Sequence, residues 1–224
     1  MKSPQQQSQK VAVLLSGAGC FDGAEIHESV LTLLSLSRRK VACEMVAPNK
    51  PQLHVINHLS GEAMPESRNV LIESARIARG KIKDLAEADP DNYAALVIPG
   101  GYGAAKNLFD FALKQNVDFR IDPAVKAFIK AFQLASKPVG FICISPMMIA
   151  DIYPKGVKMT IGNDRKLAEI VAQKGSEHIA TAVDDICVDK AHKVVSTPAY
   201  MLGQSIDQVS RGIDKLIDKV LALM

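Results

Sequence analysis

Residues 139–146 read Val-Gly-Phe-Ile-Cys-Ile-Ser-Pro, and the order of residue types in that stretch decides the fold. Val139 to Ile142 is a short apolar run, the pattern of a strand buried on both faces. Ser145-Pro146 marks a helix start, because proline is well tolerated in a first turn. Cys143 therefore lies directly after a buried strand and one turn before a helix N-terminus. Strands that feed helices in this way belong to parallel sheets.

The same grammar repeats on either side. Ala94 to Ile98 is an apolar strand broken by Pro99-Gly100-Gly101, and Pro123 to Ala135 is a helix with Asp122 as N-cap. At the beginning, Lys10 to Leu15 reads as a buried strand ending in the Gly-rich loop Ser16 to Gly23. From Ala24 the spacing of Ile26, Val30, Leu33 and Leu34 predicts a helix with one buried face, ending in Arg38-Arg39-Lys40. Val41 to Ala47 is the next strand, so the chain opens β-α-β. Near the end, Ile186 to Val188 and Val194 to Thr197 read as a small hairpin. A final helix, Ile206 to Leu223, buries Ile206, Val209, Ile213, Leu216, Ile217 and Val220. Residues 49–90 are the least regular part, with a helix from Arg68 to Ala78, and read as an insertion. The expected fold class is α/β: a three-layer sandwich with a mostly parallel central sheet, a small C-terminal hairpin and a final helix. One domain spans 11–224 after a disordered lead-in, 1–10.

Composition excludes several function classes. A formal net charge of +3, with basic residues scattered and no aromatic interleaving, gives no footprint for nucleic acid. No run approaches the roughly 18–20 apolar residues that span a bilayer, and the polar, Gln-rich start lacks the apolar stretch of a secretory signal. A cytoplasmic location is the expectation. Four cysteines, Cys20, Cys43, Cys143 and Cys187, stand far apart with no C-x-x-C pair, which argues against a disulfide framework and a zinc site. Neither a metal nor a cofactor is expected.

Ligand sites in open parallel sheets form where the loops gather at the C-terminal ends of the strands. Three loops carry reactive or small residues there: Ser16 to Glu25, Pro99 to Gly103, and Cys143 to Pro146. Cys143 is the candidate nucleophile, at a position resembling a nucleophile elbow and facing the free N–H groups of the following helix. The alternative is a buried small apolar residue, as most free cysteines are. The glycines of Pro99-Gly100-Gly101-Tyr102-Gly103 either expose amides to an oxyanion or make an ordinary tight turn. Glu25 opens the first helix, as a cap or as an acid/base group beside the thiol. His27 and Cys20 are candidates for the pocket lining, as is Tyr102. Cys43 and Cys187 fall in strand-like runs and read as core.

These residues, taken together, resemble a known family. V-A-V-L-L with A-E-I (11–26), L-V-I-P-G-G-Y-G-A-A-K-N-L (96–108) and G-F-I-C-I-S-P (140–146) look like the ThiJ/PfpI superfamily, whose fold is flavodoxin-like, class I glutamine amidotransferase-like. The stretches S-G-A-G-C-F-D-G-A-E-I-H-E, V-I-N-H-L-S-G-E and S-T-P-A-Y-M-L resemble its ElbB subfamily, named for enhancing lycopene biosynthesis. The resemblance covers the chain from Val11. It implies that Cys143 is the elbow nucleophile, that Glu25 is the protonated glutamate donating to it, and that the amides of Gly101 and Ile144 form an oxyanion hole. It also implies a homodimer. Where many members carry a histidine after the elbow helix, this sequence has Gly162, which removes the obvious general base. The implied activity is a cofactor-free glyoxalase converting glyoxal or methylglyoxal, small aldehyde substrates, to the hydroxy acid. The rivals are a redox-responsive protein whose Cys143 is oxidised and a binding protein tied to isoprenoid metabolism.

Overall fold

The computed structural model describes residues 10–224, so all of the expected lead-in except Lys10 lies outside the described residues. The chain runs β1 (Val11–Leu14), α1 (Ile26–Arg38), β2 (Cys43–Ala47), α2 (Val70–Ile77), β3 (Ile82–Asp84), β4 (Ala95–Ile98), α3 (Phe111–Lys114), α4 (Pro123–Leu134) and β5 (Val139–Ile142). It continues β6 (Lys158–Met159), α5 (Arg165–Lys174), β7 (Glu177–His178), β8 (Cys187–Asp189), β9 (Val194–Thr197) and α6 (Ile206–Ala222). Seven strands form one sheet in the order β3-β2-β1-β4-β5-β9-β8. Every pairing in it is parallel except the terminal β8–β9 hairpin. The expected α/β sandwich with a mostly parallel central sheet is what the chain forms.

Strands β1, β4 and β5, at the centre of the sheet, are apolar throughout because both sheet faces are covered. Along β1, Val11 and Val13 join the cluster packed under α6, with Leu36, Val209, Ile213 and Leu216. Ala12 and Leu14 join the opposite cluster with Phe128, Ile129 and Phe132 of α4. Adjacent residues of a strand point to opposite faces, so a four-residue apolar run serves two cores at once.

Four expectations change. Part of the 49–90 insertion belongs to the core: α2 returns the chain to β3, whose Ile82 and Lys83 pair with Met45 and Val46. The irregular portion is 51–69, closed by isolated bridges between Pro51 and Asn69 and between Ile56 and Ala63. Helix α1 is turned largely away from its apolar spacing, and of the expected face Leu33 alone packs, half-buried, against the core. Glu28, Ser29, Thr32, Ser35 and Leu36 are buried, while Ile26, Val30 and Leu34 are 44%, 47% and 41% exposed. The cause is the partner helix: Ser35 Oγ donates to Asp214 Oδ1 at 2.6 Å, and Arg39 pairs with Asp214 and Asp218, so the seam with α6 is polar. In α6 the predicted face is buried from Val209 to Val220, but Ile206, in the first turn, stands in solvent. Lastly, the segment after the elbow is a 3-10 helix, Ser145–Asp151, rather than an α-helix.

Candidate functional site

The elbow is locked from below. Cys143 adopts φ +64°, a left-handed conformation that costs a non-glycine residue energy and persists only where the surroundings enforce it. Its N–H donates to Thr197 O of β9 at 3.0 Å. Ser145 Oγ accepts from Ile142 N at 2.8 Å and lies 2.9 Å from the carbonyls of Ile98 and Ile142. That single hydroxyl ties the end of β5 to the end of β4. Ser145 is fully buried and the Cys143 side chain is 6% exposed.

The Pro99–Gly103 loop comes up against the sulfur. A Cβ on Gly100 would stand 2.5 Å from Cys143 Cβ and 3.0 Å from Sγ, so only glycine lets the thiol sit there. Gly101 has φ +95°, and the strand-to-loop turn needs that conformation. The N–H groups of Gly101 and Ile144 stand beside the Cys143 sulfur and favour its anion. The Gly-rich loop is stitched to this one by backbone bonds: Tyr102 N to Cys20 O at 2.8 Å, Gly103 N to Gly23 O at 3.0 Å, and Glu25 N to Gly100 O at 3.0 Å.

The carboxyl that meets the thiol is Glu28, not Glu25. Glu25 is the N-cap of α1 and its Oε2 accepts from Glu28 N at 2.7 Å, a position that suits the helix dipole and leaves the group on the cavity wall. Glu28, one turn on, is completely buried beneath the loop. It accepts from Gly100 N at 2.9 Å and Tyr200 N at 3.3 Å, and stands beside the Cys143 thiol. Burial first, then the charge of Glu25, pushes the Glu28 carboxyl up to about 8, against the pull of its hydrogen bonds. Burial, then the Glu28 charge, pushes the Cys143 thiol well above the usual range, while the two amides pull it back. The two groups are coupled, because the charge of Glu28 holds the thiol up.

A cavity of about 460 Å³ opens above the sulfur. Glu25, Gly101, Cys143 and Ile144 line it, together with Cys20 and Tyr102. His27 reaches it only through Tyr200, whose hydroxyl stands 2.7 Å from His27 Nδ1. No lining residue is a histidine. At Gly162 a Cβ would stand 2.9 Å from Leu202 Cγ, so a leucine side chain fills the direction a histidine would take. Cys20 is half-buried at the cavity, Cys187 is buried as expected, and Cys43 is half-buried and packs against the core. Burial raises all three thiols, Cys187 to about 11.

Phe21, Glu28, Tyr200 and Met201 lie inside the quoted motif stretches but carry no expected role, and Phe111, Ala112 and Leu167 lie outside every motif. Glu28 was legible in principle: a glutamate three residues after an N-cap carboxylate, on the side of the helix that carries Ser29 and Thr32. Residues 51–69 brace the cavity from behind. Ile56 N donates to Asp22 Oδ2 at 2.7 Å and Leu53 N to Asn107 Oδ1 at 3.0 Å. Buried Asn107 in turn donates to Ser16 O and Asp22 O, at 2.9 and 3.0 Å.

A parallel sheet with a strained cysteine elbow, amides at the sulfur and a buried carboxyl beside it defines a ThiJ/PfpI (DJ-1) superfamily fold of the class I glutamine amidotransferase-like type. No protein-family model matches the chain. It is 42% identical over 224 residues to the ES1 protein homolog, mitochondrial, of Rattus norvegicus, covering 96% of this chain and 84% of that one. It is equally 42% identical to the human glutamine amidotransferase-like class 1 domain-containing protein 3, mitochondrial, over 96% of this chain and 83% of that one. The chain belongs to this family of ES1 and glutamine amidotransferase-like class 1 domain proteins. In structure it matches an isoprenoid biosynthesis protein with an amidotransferase-like domain from Ehrlichia chaffeensis, at a TM-score of 0.88 and 36% identity, covering 96% and 99% of the two chains. A ThiJ/PfpI domain protein from Brachyspira murdochii shares the fold, at a TM-score of 0.58 and 13% identity over 94% of this chain and 97% of that one. Both mammalian relatives are named as mitochondrial, which does not support the expected cytoplasmic location. Among the described residues no helix is long and apolar enough to cross a membrane.

Proposed function

We propose that the protein is a cofactor-independent, glyoxalase-type enzyme that converts a 2-oxoaldehyde to a 2-hydroxy acid through Cys143. The observation that carries this reading is the thiol at the floor of a cavity, with two amides and a buried carboxyl at its sulfur. As the sulfur attacks the aldehyde carbon, Glu28 takes the thiol proton, and the amides of Gly101 and Ile144 hold the new oxyanion. Glu25, on the cavity wall, then carries the proton from the aldehyde carbon to the neighbouring carbonyl carbon. The aldehyde carbon is thereby oxidised to a thioester and its neighbour reduced to an alcohol. Water hydrolyses the thioester and frees the thiol, so the net change is addition of one water, with no external oxidant.

This division of labour departs from the sequence expectation by giving the sulfur to Glu28. A redox-responsive role fits less well, since the thiol is only slightly exposed to an oxidant in solution. An amidase needs a Cys-His pair that this cavity lacks.

The test is steady-state consumption of glyoxal and methylglyoxal without glutathione. Wild type should show saturable turnover that Cys143→Ala abolishes. Glu28→Gln should lower kcat/KM by about 100-fold or more, the scale of a lost acid/base group, and erase the rise in kcat/KM toward pH 8. Turnover that survives Cys143→Ala would refute the mechanism.

A further inference from the structure

The cavity is far larger than glyoxal, a molecule of four heavy atoms, requires. At about 460 Å³ it falls in the size range that accommodates drug-sized ligands. Its polar lining includes Gln115 at the C-cap of α3 and Asp164 and Lys166 at the start of α5, as well as Glu25 and Tyr200. Much of the remaining wall is apolar, formed by Phe111 and Ala112 of α3, Leu167 of α5, Ile144, Ala105 and Met201. Ala105 and Ala112 present a single methyl each. Phe111, Ala112, Ile144 and Leu167 pack against the core cluster under α4, so the wall is supported from behind rather than free to collapse.

We propose that the substrate is a 2-oxoaldehyde bearing a hydrocarbon group of aromatic or branched-aliphatic size, which this wall receives while the aldehyde meets Cys143. The inference rests on the glyoxalase-type reading above and names the substrate class of the same site. Apolar pockets discriminate by roughly 10- to 200-fold per methylene. A phenyl-sized group seated on this wall therefore separates the true substrate class from glyoxal by kcat/KM. Fixing the hydrocarbon also holds the aldehyde near the sulfur, so part of the gain falls on kcat.

The experiment compares phenylglyoxal with glyoxal in wild type and in two variants that fill the wall, Ala112→Leu and Leu167→Phe. Each kcat/KM is divided by the rate of the same aldehyde with a free thiol, which removes intrinsic reactivity. The wild-type ratio should favour phenylglyoxal by more than tenfold, and at least one filling variant should cut that ratio fivefold or more. A wild-type ratio near one, or a ratio unmoved by both variants, overturns the inference even if glyoxal is turned over. If wild type consumes none of these aldehydes, the enzymatic reading falls, and the pocket is tested by protection of Cys143 from alkylation. Protection by mandelate at a tenfold lower concentration than glycolate then supports the hydrocarbon pocket, and equal protection overturns it.

Discussion

Two segments deliver the reactive groups, and they are built on opposite principles. The β5 elbow is apolar on both faces, and a buried serine and a hydrogen bond to β9 hold its strained turn. Helix α1 does the reverse: it buries Glu28, Ser29, Thr32 and Ser35 and leaves Ile26, Val30 and Leu34 in solvent. The elbow fixes one atom in space by packing. The helix carries an ionisable group into the interior, where burial sets its proton affinity. Position comes from the first segment and chemistry from the second.

The largest effect that would break this contrast is on stability. Folded, Glu28 keeps its proton up to about pH 8; an ordinary glutamate releases it near 4.5. The folded state therefore binds the extra proton between those values, and wild-type stability should fall as pH rises through the window, at most about 1.4 kcal/mol per pH unit. Glu28→Gln carries no such charge, so it should gain on wild type between pH 5 and pH 8 by a few kcal/mol in urea denaturation. Parallel curves would mean that Glu28 is not held neutral.

A smaller effect is expected at the elbow itself. Ser145→Ala leaves Ile142 N and its neighbouring carbonyls without their partner in a dry site, costing roughly 1–3 kcal/mol. It should also loosen the Cys143 turn, seen as faster hydrogen exchange at Ile142 and Cys143. Smallest of all, Leu34→Gln should change stability by less than about 0.5 kcal/mol, as exposed substitutions do. A cost several times larger would restore the apolar face inferred from spacing.

The contrast also explains what could be read in advance. Four-residue apolar runs ended by Gly, Pro or Cys have little choice but to be inner parallel strands, so β1, β4, β5 and the elbow were visible. The regular face of α6, from Val209 to Val220, was visible too. Helix α1 misleads because hydrophobic spacing presumes an apolar partner, whereas Asp214 and Asp218 of α6 invite serine and arginine. Resemblance places the sulfur's partner on Glu25, but the glutamate that the helix buries beneath the loop is Glu28, one turn on. The cavity wall was hidden for another reason. Phe111, Leu167 and Tyr200 come from three distant segments, and their meeting depends on how the chain returns over the sheet.

The central claim is that Cys143 shares its proton with Glu28. The most direct measurement is the rate of Cys143 alkylation against pH in wild type, Glu28→Gln and Glu25→Gln. In wild type the ionised Glu28 raises the thiol, so thiolate formation should be spread over two steps, the first near pH 8. Glu28→Gln should collapse the profile to one step at lower pH than the final wild-type step, and Glu25→Gln should keep both steps. A profile unchanged by Glu28→Gln, or altered only by Glu25→Gln, would contradict the account.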